Sequence, residues 1–246
     1  LGLIESLESR ALLSADGLVA PADGLVAPDV VGVDGHYIGD GHAHSHEDIR
    51  YNAAGLAYYV DRAHPESGGG HGCGCSCAAC SAAAEAGEVE PAGEPVATLD
   101  EVPVYNSNPD APNVFYLDFN SHVVSETAWN SDNKNQPIHA VAYDTDGDNQ
   151  SFSQSELDDI FEIWSRVSED FMPFNINVTT VEPPAEAFVP GRGAIRAVIS
   201  TNVDDAAMGG SGETWFANAG GVAFVRSWRW AGDVPVWVFY NQIPRT

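Results

Sequence analysis

The chain has 246 residues and a formal net charge of −26, from 36 acidic side chains against nine arginines and one lysine. That balance excludes nucleic acid and anionic membrane surfaces as partners, because both are held by positive charge. No apolar run reaches the ~18 residues of a membrane-crossing helix, so no membrane span is expected. The same acidity suits a secreted or cell-surface protein kept soluble by self-repulsion, and it suits calcium as a partner.

Large side chains are unevenly spread. All six Trp and all ten Phe fall at or after Phe115, and all four Cys lie between Cys73 and Cys80. From Glu66 to Pro95 there is no Phe, Trp or Tyr, and the only branched aliphatic residue is Val89. Such a segment buries too little apolar surface to offset its chain entropy. The expected division is a leader over 1–34, a low-complexity pro-segment or linker over 35–112, and one globular part over 113–246. The chain opens on Leu1 and has no charged-then-apolar signal segment, which predicts that its natural N-terminus lies further upstream.

In the leader, "LESRALLSAD" (Leu7–Asp16) resembles the LEPR-x-LL element near the start of many large exported bacterial proteins, with Ser9 where that element has Pro. Leu3, Ile4, Leu7 and Leu12 fit a short amphipathic helix equally well. "ADGLVAP" is then repeated in tandem, over Ala15–Pro21 and Ala22–Pro28, as in a duplicated tether. In the linker, "GHAHSHED" sets His42, His44 and His46 at alternate positions, so that an extended chain points all three imidazoles one way. "HGCGCSCAAC" gathers Cys73, Cys75, Cys77 and Cys80. Imidazole and thiolate are ligands that zinc and copper favour. In an exported protein the cysteines can equally form local disulfides, and the Gly/Ala tract around them reads equally as inert low-complexity chain.

The globular part opens with "NVFYLDF", a strand bounded by Pro112 and Asn120. A polar loop follows, with Trp129 its one large apolar residue. In "YDTDGDNQ", Asp144, Asp146 and Asp148 alternate like the first ligands of a calcium loop, with Glu156 as the closing carboxylate. The spacing departs from an EF-hand: Glu156 is one residue too far along, and Gly147 sits between the second and third aspartates. The competing reading is a solvated acidic turn that complements the next helix N-terminus. Ser153 and Glu156 have capping-box spacing. Leu157, Ile160, Phe161, Trp164, Val167 and Phe171 then recur at threes and fours up to Pro173, which predicts one amphipathic helix of about five turns. "FNINVTTV", "AIRAVIS", "GGVAFVRSW" and "VPVWVFY" supply four more strands. A strand, a long helix and four strands make an α/β fold whose first crossover is that helix. Runs such as "VPVWVFY" belong to strands covered on both faces, and one helix covers only one. An open apolar flank is therefore expected at Val236, Trp237 and Phe239.

The words "FYLDFNSH", "AWN", "YDTDGD", "FSQSELDDIFEIWSRVSEDFMPFNINVTT", "RAVIS", "GGVAFVRSW" and "PVWVFY" together resemble the first half of a metzincin-type zinc peptidase, of the reprolysin-like and pappalysin-like kind found in large exported bacterial proteins. The resemblance implies a twisted, mostly parallel five-stranded sheet with one long helix, and a second helix beyond the last strand carrying a His-Glu-x-x-His zinc site. None of the eight histidines here opens a complete run of that kind. The implied function is the N-terminal portion of a secreted zinc-dependent endopeptidase precursor, whose partner is a peptide or protein substrate. Zinc would be its cofactor, held by the remainder of the catalytic domain downstream, so that this chain alone is expected to be inactive. The resemblance also implies that one sheet edge holds substrate as an added strand, for which Gly221, Val222, Ala223, Phe224 and Val225 are the candidates. His42, His44, His46, Cys73, Cys75, Cys77 and Cys80 are candidates for zinc ligation or for latency. The alternative reading is a non-catalytic exported surface or adhesion module that binds calcium or another metal.

Overall fold

A computed structural model describes residues 49–61, 95–131, 133–188 and 193–243. The LESRALLSAD segment, the tandem repeat, His42, His44, His46 and the four cysteines lie outside the described residues. In chain order the strands are β1 (Ile49–Tyr51), β2 (Ala57–Asp61), β3 (Pro95–Thr98), β4 (Asn113–Asp118), β5 (His122–Val124), β6 (Ile138–Ala140) and β7 (Ser151–Ser153). Helix α1 (Gln154–Asp170) follows, then β8 (Ile176–Thr179), β9 (Ala194–Ser200), β10 (Gly221–Phe224) and β11 (Val236–Phe239).

Helix α1 begins where the sequence places it. Ser153 Oγ accepts the Glu156 N–H, while Glu156 Oε2 accepts the Ser153 N–H at 2.9 Å, so two donors left over at the helix start are satisfied reciprocally. Ile160, Ile163, Val167 and Phe171 bury against the sheet. The apolar stripe is wider than that face. Phe161 is half in solvent and meets the Tyr105 ring edge-on at 5.4 Å, and Trp164 stacks on the same ring at 4.9 Å. The indole of Trp164 also donates to the Val178 carbonyl at 3.0 Å, tying helix to strand across Pro173.

The main sheet has seven strands in the order β1-β2-β10-β11-β9-β4-β8. Its β11, β9, β4 and β8 are mutually parallel, while the β1/β2, β2/β10 and β10/β11 junctions are antiparallel. The expectation of a mostly parallel five-stranded sheet is thus corrected to a mixed, seven-stranded one. The two added strands come from the stretch assigned to the linker. The poverty in apolar residues that begins at Glu66 does not reach back to "AYYVD", where Tyr58, Tyr59 and Val60 are strand formers and are all buried. Their turn is set by Asn52, whose side-chain oxygen accepts the N–H groups of Ala54 (3.0 Å) and Leu56 (2.8 Å), with Gly55 at φ +78°.

The opposite edge is covered from the same direction in sequence. Tyr105 accepts the Thr180 N–H and Ser107 donates its N–H to Val178, so residues 105–107 run along the outside of β8. Further up, β3 pairs with β7 at the helix entrance. Three pieces of chain that precede "NVFYLDF" are therefore integral to the globular part, and its boundary at residue 113 is corrected accordingly.

Alternation divides the sheet into two faces. Phe115, Leu117, Ile195, Ala197, Ile199, Val236 and Val238 share one apolar cluster with α1. Trp237, Phe239, Val222 and Phe224 share a second with Tyr58, Val60, Trp129 and Phe216. The open flank expected at Val236, Trp237 and Phe239 is absent: all three are fully buried. What covers the second face is not an α-helix: Val124, Ile138 and Ala140 of the β5/β6 pair and Trp129, in the single 3-10 turn Ala128–Ser131 between them, join its cluster. Trp129 lies in the loop between the paired strands β5 and β6, packs on Phe224 with 3.9 Å between ring centroids, and donates its indole N–H to Pro235 at 2.8 Å.

Position on α1 decides the cost of truncation. Ile160→Ala should lower unfolding free energy by about 2–5 kcal/mol through a core cavity, whereas Phe161→Ala should cost under about 1.5 kcal/mol. Urea unfolding of the two variants checks this; equal losses would show that the stripe faces otherwise.

Candidate functional site

Three places bear on function. The first is the acidic loop before α1. One oxygen from each of Asp144, Asp146 and Glu156 lies within 4.8 Å of the others, a spacing that matches oxygens on opposite sides of a calcium ion at about 2.3–2.6 Å. Glu156 is fully buried. Its Oε1 accepts the Thr145 N–H at 2.7 Å while its Oε2 serves the helix cap, so one side chain fixes both the loop and the helix entrance. Asp144 Oδ1 accepts the N–H groups of Asp146 (3.0 Å) and Gly147 (2.6 Å), and Gly147 turns the chain at φ +94°. The fourth predicted ligand, Asp148, is outside this trio. It points along the loop, accepting from Gln150 N–H at 3.2 Å and Ser151 Oγ at 2.8 Å. The departure from EF-hand spacing thus has a geometric counterpart: three carboxylates converge, and the alternation is broken at Gly147.

The second place is β10. Gly221, Val222, Ala223 and Phe224 form it and are buried; Val225 follows it, half-buried. It is antiparallel to β11, and it is not the edge that a substrate-holding strand was expected to be. β2 lies along its outer side, with Val60 opposite Val222 and Tyr58 opposite Phe224. The strand entrance at Gly220 is tight: its N–H donates to the Asp61 carbonyl at 2.8 Å, and a Cβ there would sit 3.3 Å from the side chains of Asp61 and Ile243.

The third place was not singled out from the sequence. Arg196, in the middle of β9, is only 4% exposed at its side chain, and it forms ion pairs with Asp118, Glu182 and Asp233, the last at 2.7 Å. The guanidinium lies over the rings of Tyr116 and Phe188, at 5.0 and 5.3 Å. Burial pushes the Asp118 carboxyl up to about 6, against the pull of Arg196, and burial likewise raises Asp233. Burial, with Arg196 adding to it, holds the His122 imidazole down at about 4. His122 lies 3.9 Å from carboxylate oxygens of both Asp118 and Asp233, yet its ring is neutral at pH 7, so these approaches are not ion pairs. The signal in the sequence is one charged residue inside each of two apolar runs, Asp118 in "FYLDF" and Arg196 in "AIRAVIS". Strand alternation puts both on the face away from α1.

Removing the cation tests this cluster. Arg196→Met should cost about 3–5 kcal/mol at pH 8, because it strands a buried carboxylate. The folded-state value of Asp118 is raised above its unfolded one, so protonation favours the fold. That value of about 6 holds with Arg196 in place, and without the cation the carboxyl is pushed higher still, so the penalty should shrink as pH falls from 8 toward about 6 and level off below it, whereas a loss independent of pH across that range in urea unfolding would contradict the assignment. Set against known proteins, the chain matches no family model, no curated protein and no solved structure.

Proposed function

We propose that this chain is the peptide-aligning half of a secreted zinc-dependent endopeptidase precursor, with the zinc-bearing helix encoded beyond Thr246. The observation that carries this reading is the path of the chain through the sheet. It leaves β4, crosses through α1 into β8 on the outside of the parallel set, and returns to β9 on the other side of β4. The parallel set then ends at β11, with the reversed strand β10 beside it. A long helix entering the second strand of the parallel set fits the single long helix that the metzincin resemblance implies, and the reversed β10 at the end of that set is the strand to which the resemblance would assign the substrate. A peptide laid on β10 would be held by main-chain hydrogen bonds, with loose demands on its sequence.

Zinc is assigned to no residue here. On a His-Glu-x-x-His helix it would supply an activated water, and this chain's share is to hold and align the peptide. The covered second face removes one ground for the reading, since no apolar flank waits for a further helix. The strand path and the reversed β10 remain its support.

The convergence of Asp144, Asp146 and Glu156 favours a second reading, a non-catalytic exported surface module that binds calcium. The coding sequence after Thr246 separates the two. A His-Glu-x-x-His run within a few dozen codons, with chelator-sensitive peptide hydrolysis by the whole gene product, is expected under the first reading; a stop codon or an unrelated domain would end it. In the active product, Phe224→Pro should raise KM with little change in kcat, and an unchanged KM would remove β10 from substrate binding. For calcium, calorimetric titration of the chain should give saturable heat that Asp144→Asn with Asp146→Asn abolishes, a pair chosen to leave the Ser153–Glu156 cap intact. Absence of heat from the unaltered chain would discard the calcium site.

A further inference from the structure

The occupant of the β10 edge is held in the manner of a bound peptide. Val225 N–H donates to Ala57 at 3.0 Å and Gly220 N–H to Asp61 at 2.8 Å, closing a four-rung antiparallel register from Tyr58 to Asp61. Alternate side chains enter pockets on one face. Tyr58 sits edge-on to Trp129, Phe224 and Phe216, with ring centroids 5.7, 5.8 and 5.9 Å away, and Val60 is fully buried in the same cluster. Main-chain pairing along one edge with every second side chain in a pocket is how sheet edges take extended ligands.

Among the described residues, β1 pairs with no strand but β2. All three residues of β1 are exposed, and Asn52 reaches Ala128 and Ser131 through long hydrogen bonds of 3.3 and 3.2 Å. A two-stranded hairpin of this size is marginal by itself, so β2 is ordered by β10 and not the reverse. Residues 62–94 join it to β3 and, past Arg62, hold no branched aliphatic residue but Val89. Covalent continuity through these residues makes the hairpin's pairing with β10 intramolecular, which keeps a modest ligand bound while the chain is intact.

We propose that the hairpin Ile49–Asp61 is a built-in competitor for peptides at β10, a plug whose strand β2 mimics an extended peptide with an aromatic residue at one inward position and a β-branched residue two further on. Cutting the tether within 62–94 converts the plug into an exchangeable ligand and opens the edge. The inference rests on the reading of β10 as the peptide-aligning strand, and it adds the regulation of that strand and the class of side chains it accepts.

The experiment places a specific protease site in 62–94 of the full chain and cleaves it. Fluorescence anisotropy then follows uptake of a labelled peptide of residues 49–61. The cut chain should take up the peptide, and the uncut chain should bind it at least about 100-fold more weakly. Unlabelled peptide should compete, and the same peptide carrying Tyr58→Ser and Val60→Ser should not. A resident fragment that never exchanges, or uptake indifferent to those two substitutions, would overturn the proposal. In the whole gene product, cleavage and dilution should raise zinc-dependent peptide hydrolysis. Hydrolysis present but unchanged by release of the fragment overturns the plug. Exchange with no hydrolysis in either state retires the peptidase reading alone and leaves the plug standing.

Discussion

A β-sheet that stops leaves a ladder of unpaired N–H and C=O groups at each side, and each such edge is a template on which another extended segment can pair. In this protein the outer sides of β10 and β8 are covered by chain lying before β4 in sequence, β2 along β10 and residues 105–107 along β8, with the short exposed β1 outermost beyond β2. The parallel strands cannot close themselves. Each crossover returns the chain to the interior or to one end of the set, so the last strand at each end needs a partner from elsewhere. The segment before the first strand is free to supply both. That constraint places the hairpin 49–61 on the surface where an extended peptide would otherwise pair.

The second face of the sheet carries the next constraint. Between its two apolar clusters lies a guanidinium with three carboxylates around it, inside a layer that otherwise excludes charge. Arg196 faces Asp118 from the neighbouring strand, because Tyr116 lies opposite Arg196 and Asp118 is two residues further along on the same face. The cluster fixes the register of β9 against β4: a slip of β9 by one residue would turn Arg196 toward the apolar face under α1 and leave Asp118 buried without its cation. Asp233 brings the approach to β11 into the same network, so three parallel strands are indexed by one cation.

The acidic loop and the peptide edge meet the sheet at different points and do different work. Glu156 links loop geometry to the start of α1, so that whatever holds Asp144 and Asp146 together also holds the helix that delivers β8. The β10 edge depends on Trp129, which reaches it from the loop between β5 and β6 and forms part of the pocket for Tyr58. Peptide alignment, if β10 performs it, is thus prepared by an aromatic residue from an otherwise polar loop.

Local chemistry was readable without a structure. The Ser153–Glu156 cap, the apolar stripe of α1, the stop at Pro173 and the strand character of the five runs from "NVFYLDF" to "VPVWVFY" are set by interactions within a few residues, and those are written in spacing. The convergence of Asp144, Asp146 and Glu156 was partly readable for the same reason, and Asp148 stands outside the trio because alternation cannot anticipate the turn at Gly147. Pairing across long separations was not readable. Nothing in "AYYVD" names "GVAF" as its neighbour, and nothing in "AIRAVIS" says that its arginine will meet Asp118, Glu182 and Asp233. Composition also misjudged the second face: a lone Trp in a polar loop carries no period, yet Trp129 closes that face. Sequence alone determined the five longer strand runs and the helix, because propensity, capping and periodicity are local. The tertiary structure decided which edges are covered and where the charges meet, because burial and register arise only when distant segments share one sheet.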